Sequence, residues 1–255
     1  MKSLVLCDDC QCEKVIKLCR KYALGIEVQG FYNPNEVNKK EELLVRYKNI
    51  LQDNIEKHLH APFWDLCLGS ANDRIKDVTN FYFDYAYKIA EELKCSTITV
   101  HQGYVPNTSH INGWIKRSIV FWENFFEEHK GNIVMCMENL CEYDPETFIG
   151  IIDGINSDKL GVNLDIGHAN CNSKTPPLSW IRQLGGRIKY VHIHDNFGEN
   201  DDHLGIGKGS MNIAEILNTL NEYAPEATWA LECNTDHLED SIQYLINEGF
   251  LNKQN

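Results

Sequence analysis

Residues 133–139 read IVMCMEN. Ile133 to Met137 are apolar at every position, and the run closes on Glu138 and Asn139. A strand with one wet face alternates polar and apolar residues. An unbroken apolar run instead fits a strand covered on both sides, as in a parallel sheet flanked by helices. The same stretch puts a carboxylate at the point where that strand ends.

Working outward, similar runs occur at Lys2–Leu6, Ile26–Gln29, Ile55–His60, Ser96–His101, Leu160–Asp165, Ile188–His192 and Thr228–Glu232. Ile55–His60 fits least well, because NIEKHLH is polar for a buried strand. Helical spacing separates the runs. Val78, Tyr82, Tyr85, Ile89 and Leu93 recur every three or four residues, as do Ile115, Ile119, Trp122 and Phe126, and later Ile213, Ile216, Leu217 and Leu220. Eight strand–helix units in 255 residues leave about 32 residues each, which fits a minimal (β/α)8 TIM barrel of the α/β class, a single domain over 1–255. A doubly wound open sheet would carry a phosphate-binding glycine loop directly after an early strand. The only candidate, GIGKG at 205–209, lies late in a loop.

Composition narrows the function. A hydrophobic fraction of 43% supports a full core, and 37 acidic against 24 basic residues give a net charge of −13. Such a field repels phosphate backbones, which argues against a nucleic-acid partner. MKSLVLCDDCQCEK has too short an apolar stretch for a signal peptide, and no run approaches the roughly 20 residues of a membrane span. A cytoplasmic protein is expected, with homo-oligomerisation left open. Ten cysteines without an export signal are expected to be reduced thiols. Cys7, Cys10 and Cys12 form C-x-x-C-x-C without the paired ligands of a zinc knuckle, and Cys19 sits at a spacing no common site uses.

The chemistry is concentrated where the apolar runs stop. VHIHDNFGENDDHLGIGKG, residues 191–209, holds three histidines and four acidic residues. His60 closes HLH, His101 follows TITV, Glu138 ends IVMCM, and Asp165 ends GVNL with His168 three residues on. His192 ends IKYV, Asp201 and His203 follow in its loop, and Glu232 ends TWAL. In a (β/α)8 barrel these strand ends converge on one face. Imidazoles mixed with carboxylates suit Zn²⁺, Mn²⁺ or Fe²⁺ better than Ca²⁺, and a cation supplies the charge that buried carboxylates lack. His194, two residues beyond His192, is expected to support the ligands or to meet the substrate. Phe63 and Trp64, just past His60, are candidate walls for the C–H face of a sugar.

HAPF, VHQG, MEN, DIGH, HIHDN and DDHLGIGKG together resemble the xylose isomerase-like TIM-barrel superfamily, from about residue 25 to the end. That superfamily holds sugar and sugar-phosphate isomerases and epimerases, and also the endonuclease IV type of apurinic endonuclease. The resemblance implies a single-metal isomerase site at Glu138, Asp165, His192 and Glu232. A trinuclear endonuclease-type site would add His60, His101, His168, Asp201 and His203. All nine positions carry the expected residue type.

Across the two enzyme readings one to three Mn²⁺ or Zn²⁺ ions are expected; in the isomerase reading one Mn²⁺-like ion stabilises an enediolate, Glu138 and Glu232 exchange protons with the substrate, and His168 holds a substrate oxygen. In the nuclease reading, several Zn²⁺ ions activate water against a phosphodiester. That enzyme must also grip bent DNA with basic loops, yet APFWDLCLGSAND and QGYVPNTSHING contain no Lys or Arg. A barrel that binds sugar or metal without turnover is the third reading. The sequence favours a metal-dependent sugar, or sugar-phosphate, isomerase or epimerase with a small-molecule partner.

Overall fold

The computed structural model describes residues 3–51 and 55–252. Eight parallel strands close into a barrel in sequence order, with the first pairing with the last. They are β1 (Leu4–Cys7), β2 (Gly25–Val28), β3 (Lys57–His60), β4 (Thr97–His101), β5 (Val134–Glu138), β6 (Leu160–Asp165), β7 (Ile188–Ile193) and β8 (Thr228–Leu231). The helices are α1 (Cys12–Tyr22), α2 (Lys40–Ile50), α3 (Asp73–Leu93), α4 (Ile111–Glu128), α5 (Glu146–Ile155), α6 (Ile166–Cys171), α7 (Pro177–Leu184), α8 (Ile213–Tyr223) and α9 (Leu238–Asn247). The expected (β/α)8 barrel is therefore present. Of the strand expectations, Lys2 lies outside the described residues, and the polar Ile55–Glu56 stretch precedes β3 rather than belonging to it.

Two apolar clusters show which way each strand faces. Val5, Cys7, Cys136, Tyr190 and Ala230 form a small one. Their strand neighbours Leu4, Leu6, Met135, Met137, Val191, Trp229 and Leu231 belong to the large one. Side chains alternate sides along a strand, so the small cluster fills the barrel and the large one lies between sheet and helices. The same parity aims Glu27, His60, His101, Glu138, Asp165, His192 and Glu232 inward. Thus the apolar run of β5 serves two different cores, and its inward parity turns polar only at the top.

One irregularity helps to set that parity. Between Val162 and Asn163 the β6–β7 register shifts, so that Val162 faces Ile188 and Asn163 faces Tyr190. The extra residue, Lys189, is exposed. A bulge of this kind re-aims the residues beyond it, and here it brings Asp165 opposite His192.

The helices cover the outside with the expected periodicity, but the buried stripe is offset on α3 and on α4, where Trp114, Ser118, Phe121, Trp122 and Phe125 are buried while Ile115, Ile119 and Phe126 are only partly so. The offset on α3 is as follows. Tyr85, Ile89 and Leu93 are buried as expected, but Val78 is half exposed, and the buried stripe runs through Thr79, Phe83, Ala86 and Ala90. Ile213, Ile216, Leu217 and Leu220 are all buried on α8. Among the described residues no helix is long and apolar enough to cross a membrane. All ten cysteines are unpaired, and Cys10 is exposed while Cys7 and Cys12 are buried in different surroundings.

Candidate metal centre

The C-terminal ends of the strands bring nine polar residues together. The ligand atoms of Glu138, Asp165, His192 and Glu232 all lie within 4.8 Å of one another. So do those of His60, His101 and Glu138, and those of His168, Asp201 and His203. Glu138 belongs to the first two groups. It is 1% exposed, and four imidazoles surround it: His60 and His101 at 3.3 Å, His168 at 3.4 Å and His192 at 3.2 Å.

Most of the rings are held by their far side. His60 Nδ1 lies 2.8 Å from the Ala61 carbonyl, His168 Nδ1 2.8 Å from that of Asn139, and His203 Nδ1 2.7 Å from that of Glu232. A carbonyl only accepts, so each Nδ1 carries the hydrogen and donates it. Each Nε2 is therefore the atom turned to a site carboxylate, and once its proton is displaced its lone pair is free for a cation, as backbone carbonyls commonly arrange for metal-binding histidines. His203 reaches its place with φ +46°, a left-handed conformation costing roughly 1–2 kcal/mol outside glycine. Contacts from its ring to Asp201 and to the Glu232 carbonyl offset that strain.

Asp165 has two duties. Its Oδ1 caps α6 by accepting from the His168 amide at 2.7 Å, and it also meets His194 Nε2 at 3.2 Å. Its Oδ2 points to the centre. Asn139 holds the Asp165 backbone on both sides, donating to its carbonyl and accepting from its amide at 2.9 Å. A Cβ at position 167 would lie 2.0 Å from the His194 ring, which explains the glycine of DIGH.

The loop carrying Asp201 and His203 closes on a buried carboxylate. Asp195 Oδ2 accepts from the amides of Gly207 and Gly209, and its Oδ1 accepts from those of Asn196 and Met211. Gly209 has no room for a Cβ, which would sit 2.4 Å from the Asn196 carbonyl. The glycines of GIGKG therefore wrap an aspartate of the chain itself.

The donor set fits a divalent cation. Glu138 Oε2 and Asp165 Oδ2 are fully buried without a hydrogen bond, which is costly for carboxylate oxygens unless a cation meets them. Nitrogen and carboxylate donors at this spacing suit Zn²⁺ or Mn²⁺. The electrostatics of the chelated chain agree. Burial opposes charge on His192, but the Glu232, Glu27 and Glu138 carboxylates outweigh it and hold its pKa well above the usual imidazole value. His168 is likewise raised well above that value, against burial, by Asp165, Asp201 and Glu138. His203 is pushed up to about 10, again against burial, by Asp201 and Glu232. Against burial, these rings lower Glu138 and Asp165, and Glu27 falls to about 2.

Stability and metal uptake should both depend on pH. Raised imidazole pKa values give the chelated chain stability that is fully present below the ordinary value of about 6.5. That stability is lost as pH climbs through the raised values. The depressed carboxylates contribute above their ordinary range, near 4, and lose it as pH falls through their lowered values. A cation must displace the imidazolium protons, so near pH 7 its binding releases protons and tightens with rising pH. Calorimetric titration with Zn²⁺ in two buffers of different ionisation enthalpy checks this. Equal apparent enthalpies would show that the rings were already neutral.

Above these groups opens a cleft of about 570 Å³, in the range of small-molecule sites. His60, His101, Glu138, His168, Asp201, His203 and Glu232 line it, with Phe63 and Tyr32 as aromatic walls. Asp165 and His192 are fully buried behind that lining. Phe63 stacks on His101 with centroids 4.8 Å apart. Trp64 does not reach the cleft: it is 42% exposed and packs edge-on against Tyr32. His194 also stands off the lining, fully buried behind Asp165 and stacked on His203 at 4.2 Å. Its ligand atom lies within 4.8 Å of those of His203 and Glu232.

Sequence reasoning missed Glu27 on the inward face of β2 and Gln29 just past the strand's end, along with Asn139 and Asp195. The signal for Glu27 was a lone charge inside GIEV, at the parity that other strands use for their site residues.

A family model described as the xylose isomerase-like TIM barrel matches residues 16–250. The uncharacterized protein MJ1311 of Methanocaldococcus jannaschii is 30% identical over 224 residues, covering 84% of this chain and 73% of its own. The TTHB071 protein from Thermus thermophilus, solved after soaking with ZnCl2, matches with a TM-score of 0.79 at 21% identity over 99% of each chain. A D-tagatose 3-epimerase-like protein matches with a TM-score of 0.71 at 24% identity, over 98% of this chain and all of its own. At those identities the two structures speak for the fold, while the family model spans nearly the whole barrel. This chain belongs to the xylose isomerase-like TIM-barrel family.

Proposed function

We propose that the protein is a divalent-metal-dependent isomerase or epimerase of a small, uncharged, polyhydroxylated carbonyl compound. The observation that carries this reading is the lining of the cleft: carboxylates, imidazoles and aromatic rings, with no Lys or Arg among the described lining residues. A neutral sugar needs only chelation, hydrogen bonds and an apolar wall, whereas a phosphate needs cationic or amide donors. The sugar epimerase character named for one structural neighbour supports the same choice.

Glu138, Asp165, His192 and Glu232 would hold the principal cation. His60 and His101 with Glu138, and His168 and His203 with Asp201, offer donors for one or two more, of Mn²⁺ or Zn²⁺ type. A bound cation supplies Lewis-acid polarisation of neighbouring carbonyl and hydroxyl oxygens, which acidifies the intervening C–H. Glu232, reached from the cleft, would take that proton, and Glu138, after first gaining a proton from one of the imidazoles around it, would return one to the enediolate from its own side, solvent then restoring both groups. His168 offers a hydrogen bond to a substrate oxygen, and Phe63 covers the C–H face. Tyr32 stacks beside Phe63, with centroids 6.1 Å apart, and extends that apolar wall. A cytoplasmic location as one catalytic domain accords with ten unpaired cysteines.

A second reading, a multinuclear zinc phosphodiesterase of the endonuclease IV type, draws on the three adjoining ligand groups. One experiment separates the two. The metal-loaded protein is incubated with a ketose panel in D2O and, separately, with an abasic-site duplex at low salt. Deuterium entering a ketose with the duplex intact is expected. Nicking of the duplex without exchange into any sugar would promote the nuclease.

A further inference from the structure

We propose that β2 and the residue that follows it, which supply no metal ligand, preset two of them, with Glu27 and Gln29 as positioning residues that orient His192 and Glu232. The inference rests on the metal-binding part of the function proposed above and is independent of which compound is turned over.

Glu27 is fully buried in the barrel interior, and among the described residues no Lys or Arg forms an ion pair with it. An acid in that place needs a partner, and it has one: His192 Nε2 lies 3.1 Å from Glu27 Oε2. His192 thereby differs from His60 and His203, whose Nδ1 atoms donate to backbone carbonyls and whose Nε2 atoms meet Glu138 and Asp201, and from His168, whose Nδ1 is already taken by the Asn139 carbonyl. In His192 the ring is reversed. Its Nδ1 faces the other ligands, 3.2 Å from Glu138 Oε1, 3.0 Å from Glu232 Oε2 and 3.8 Å from Asp165 Oδ2. For Nδ1 to offer a lone pair there, Nε2 must carry the hydrogen, and Glu27 is the acceptor that fixes it.

Gln29 extends the device. Its amide donates to Glu27 Oε1 at 3.2 Å and to Glu232 Oε1 at 2.7 Å. Glu232 follows the last residue of β8, so strand pairing alone does not set its side chain. The amide takes one carboxylate oxygen and leaves the other beside His192 Nδ1. One inward position of β2 and the same-parity residue just past its end thus hold ligands from two other strands.

The groups of Cys7, Glu27, His192 and Glu232 also lie within 4.8 Å of one another, which makes direct ligation through Cys7 the rival. Hydrogen bonding decides against it. Glu27 is already met by Cys7 Sγ at 3.6 Å, by Gln29 and by His192, whereas the orphaned oxygens, Glu138 Oε2 and Asp165 Oδ2, belong to the ligand group at the Nδ1 side of the ring.

The test titrates chelator-treated full-length protein with Co²⁺ and with Zn²⁺, following the cobalt d–d spectrum and the isotherm. Wild type is expected to bind without a thiolate-to-cobalt charge-transfer band. Glu27→Leu should weaken binding roughly 10–100-fold and alter the d–d spectrum. Glu27→Gln, which still accepts a hydrogen bond but carries no charge, should recover part of that loss, and Gln29→Leu should weaken binding roughly tenfold. Folding of each variant is checked by circular dichroism. Should Glu27→Leu not fold, Glu27→Gln decides, and affinity equal to wild type overturns the proposal. So does a thiolate band in wild-type cobalt protein that disappears in Glu27→Gln, which would make Glu27 part of a Cys7 site. A wild-type chain that takes up neither ion overturns the metal reading itself, a result distinct from wild type binding with the variants unchanged.

Discussion

Glu138→Gln is expected to empty the centre, leaving less than about a tenth of the wild-type metal and lowering turnover by roughly a thousandfold or more. The size of the effect comes from the position. Glu138 joins the His60–His101 pair to the Asp165, His192 and Glu232 group, and four imidazoles approach it within 3.4 Å. Glutamine keeps the volume but replaces one acceptor oxygen with an NH2 group, which has no lone pair for a cation. The fold should survive, because the amide removes a buried negative charge and the imidazoles it held up can shed their protons. Glu232 and Glu27 remain the larger coulombic partners of His192, but with Glu138 neutral its pKa should fall part of the way back, so the stability of the metal-free variant should decline at somewhat lower pH than that of the wild type. Metal analysis after purification without chelator, with solvent exchange into the substrate, measures both effects. A variant that kept its metal and its turnover would remove Glu138 from the centre.

The barrel was legible because each strand announces itself by composition, yet the two faces of a strand were not separable by eye. Val134 to Met137 read as one apolar run, but Val134 and Cys136 belong to the interior and Met135 and Met137 to the helix layer. Only pairing all eight strands shows this. On α3 the chain carries apolar residues on more than one face, with Val78 and Phe81 both about half exposed, so periodicity alone selected a stripe offset from the buried one. β3 was hard for a different reason: it sets Lys57, His58 and His60 into the sheet, where polar residues are unusual.

The site obeyed the same logic. Its nine ligand candidates each end an apolar run or sit in the loop after one, and histidines there are conspicuous. Glu27 and Gln29 carry no histidine to flag them, and their part depends on a contact with His192 across 165 residues of sequence. Asp195 is hidden for a similar reason, since its carboxylate matters only once the loop has folded back to residues 207–211. Trp64 was misplaced because neighbouring loop residues diverge. Phe63 turns in beneath the cleft, while the chain after it enters a turn in which Asp65 takes φ +59° and Trp64 faces out.

Glu232→Gln is expected to separate the proton-transfer role from ligation. Glu232 differs from Glu138 in having side-chain access to the cleft, at 14% exposed against 1%, and it is reached by fewer imidazoles. Three buried ligands, Glu138, Asp165 and His192, remain after the substitution, so the variant should retain part of its metal. Gln29 still has an oxygen to donate to, and the His203 contact uses the backbone carbonyl, so the surrounding contacts should hold. The base alone disappears. Loss of a positioned acid–base group lowers turnover by roughly 10²–10⁴, about 3–5 kcal/mol of barrier at 1.36 kcal/mol per tenfold. Because the lost interaction is made in the transition state, kcat should carry the loss while KM moves little. Solvent exchange into the substrate should fall in parallel, since the same carboxylate removes the carbon-bound proton. The decisive comparison normalises turnover to bound metal in the two glutamine variants. Glu138→Gln should lose activity largely through lost metal, and Glu232→Gln should be slow even per bound ion. If Glu232→Gln exchanged solvent protons within about threefold of wild type per bound ion, the proton-transfer role would have to pass to another group in the cleft, with His168 the next candidate to test.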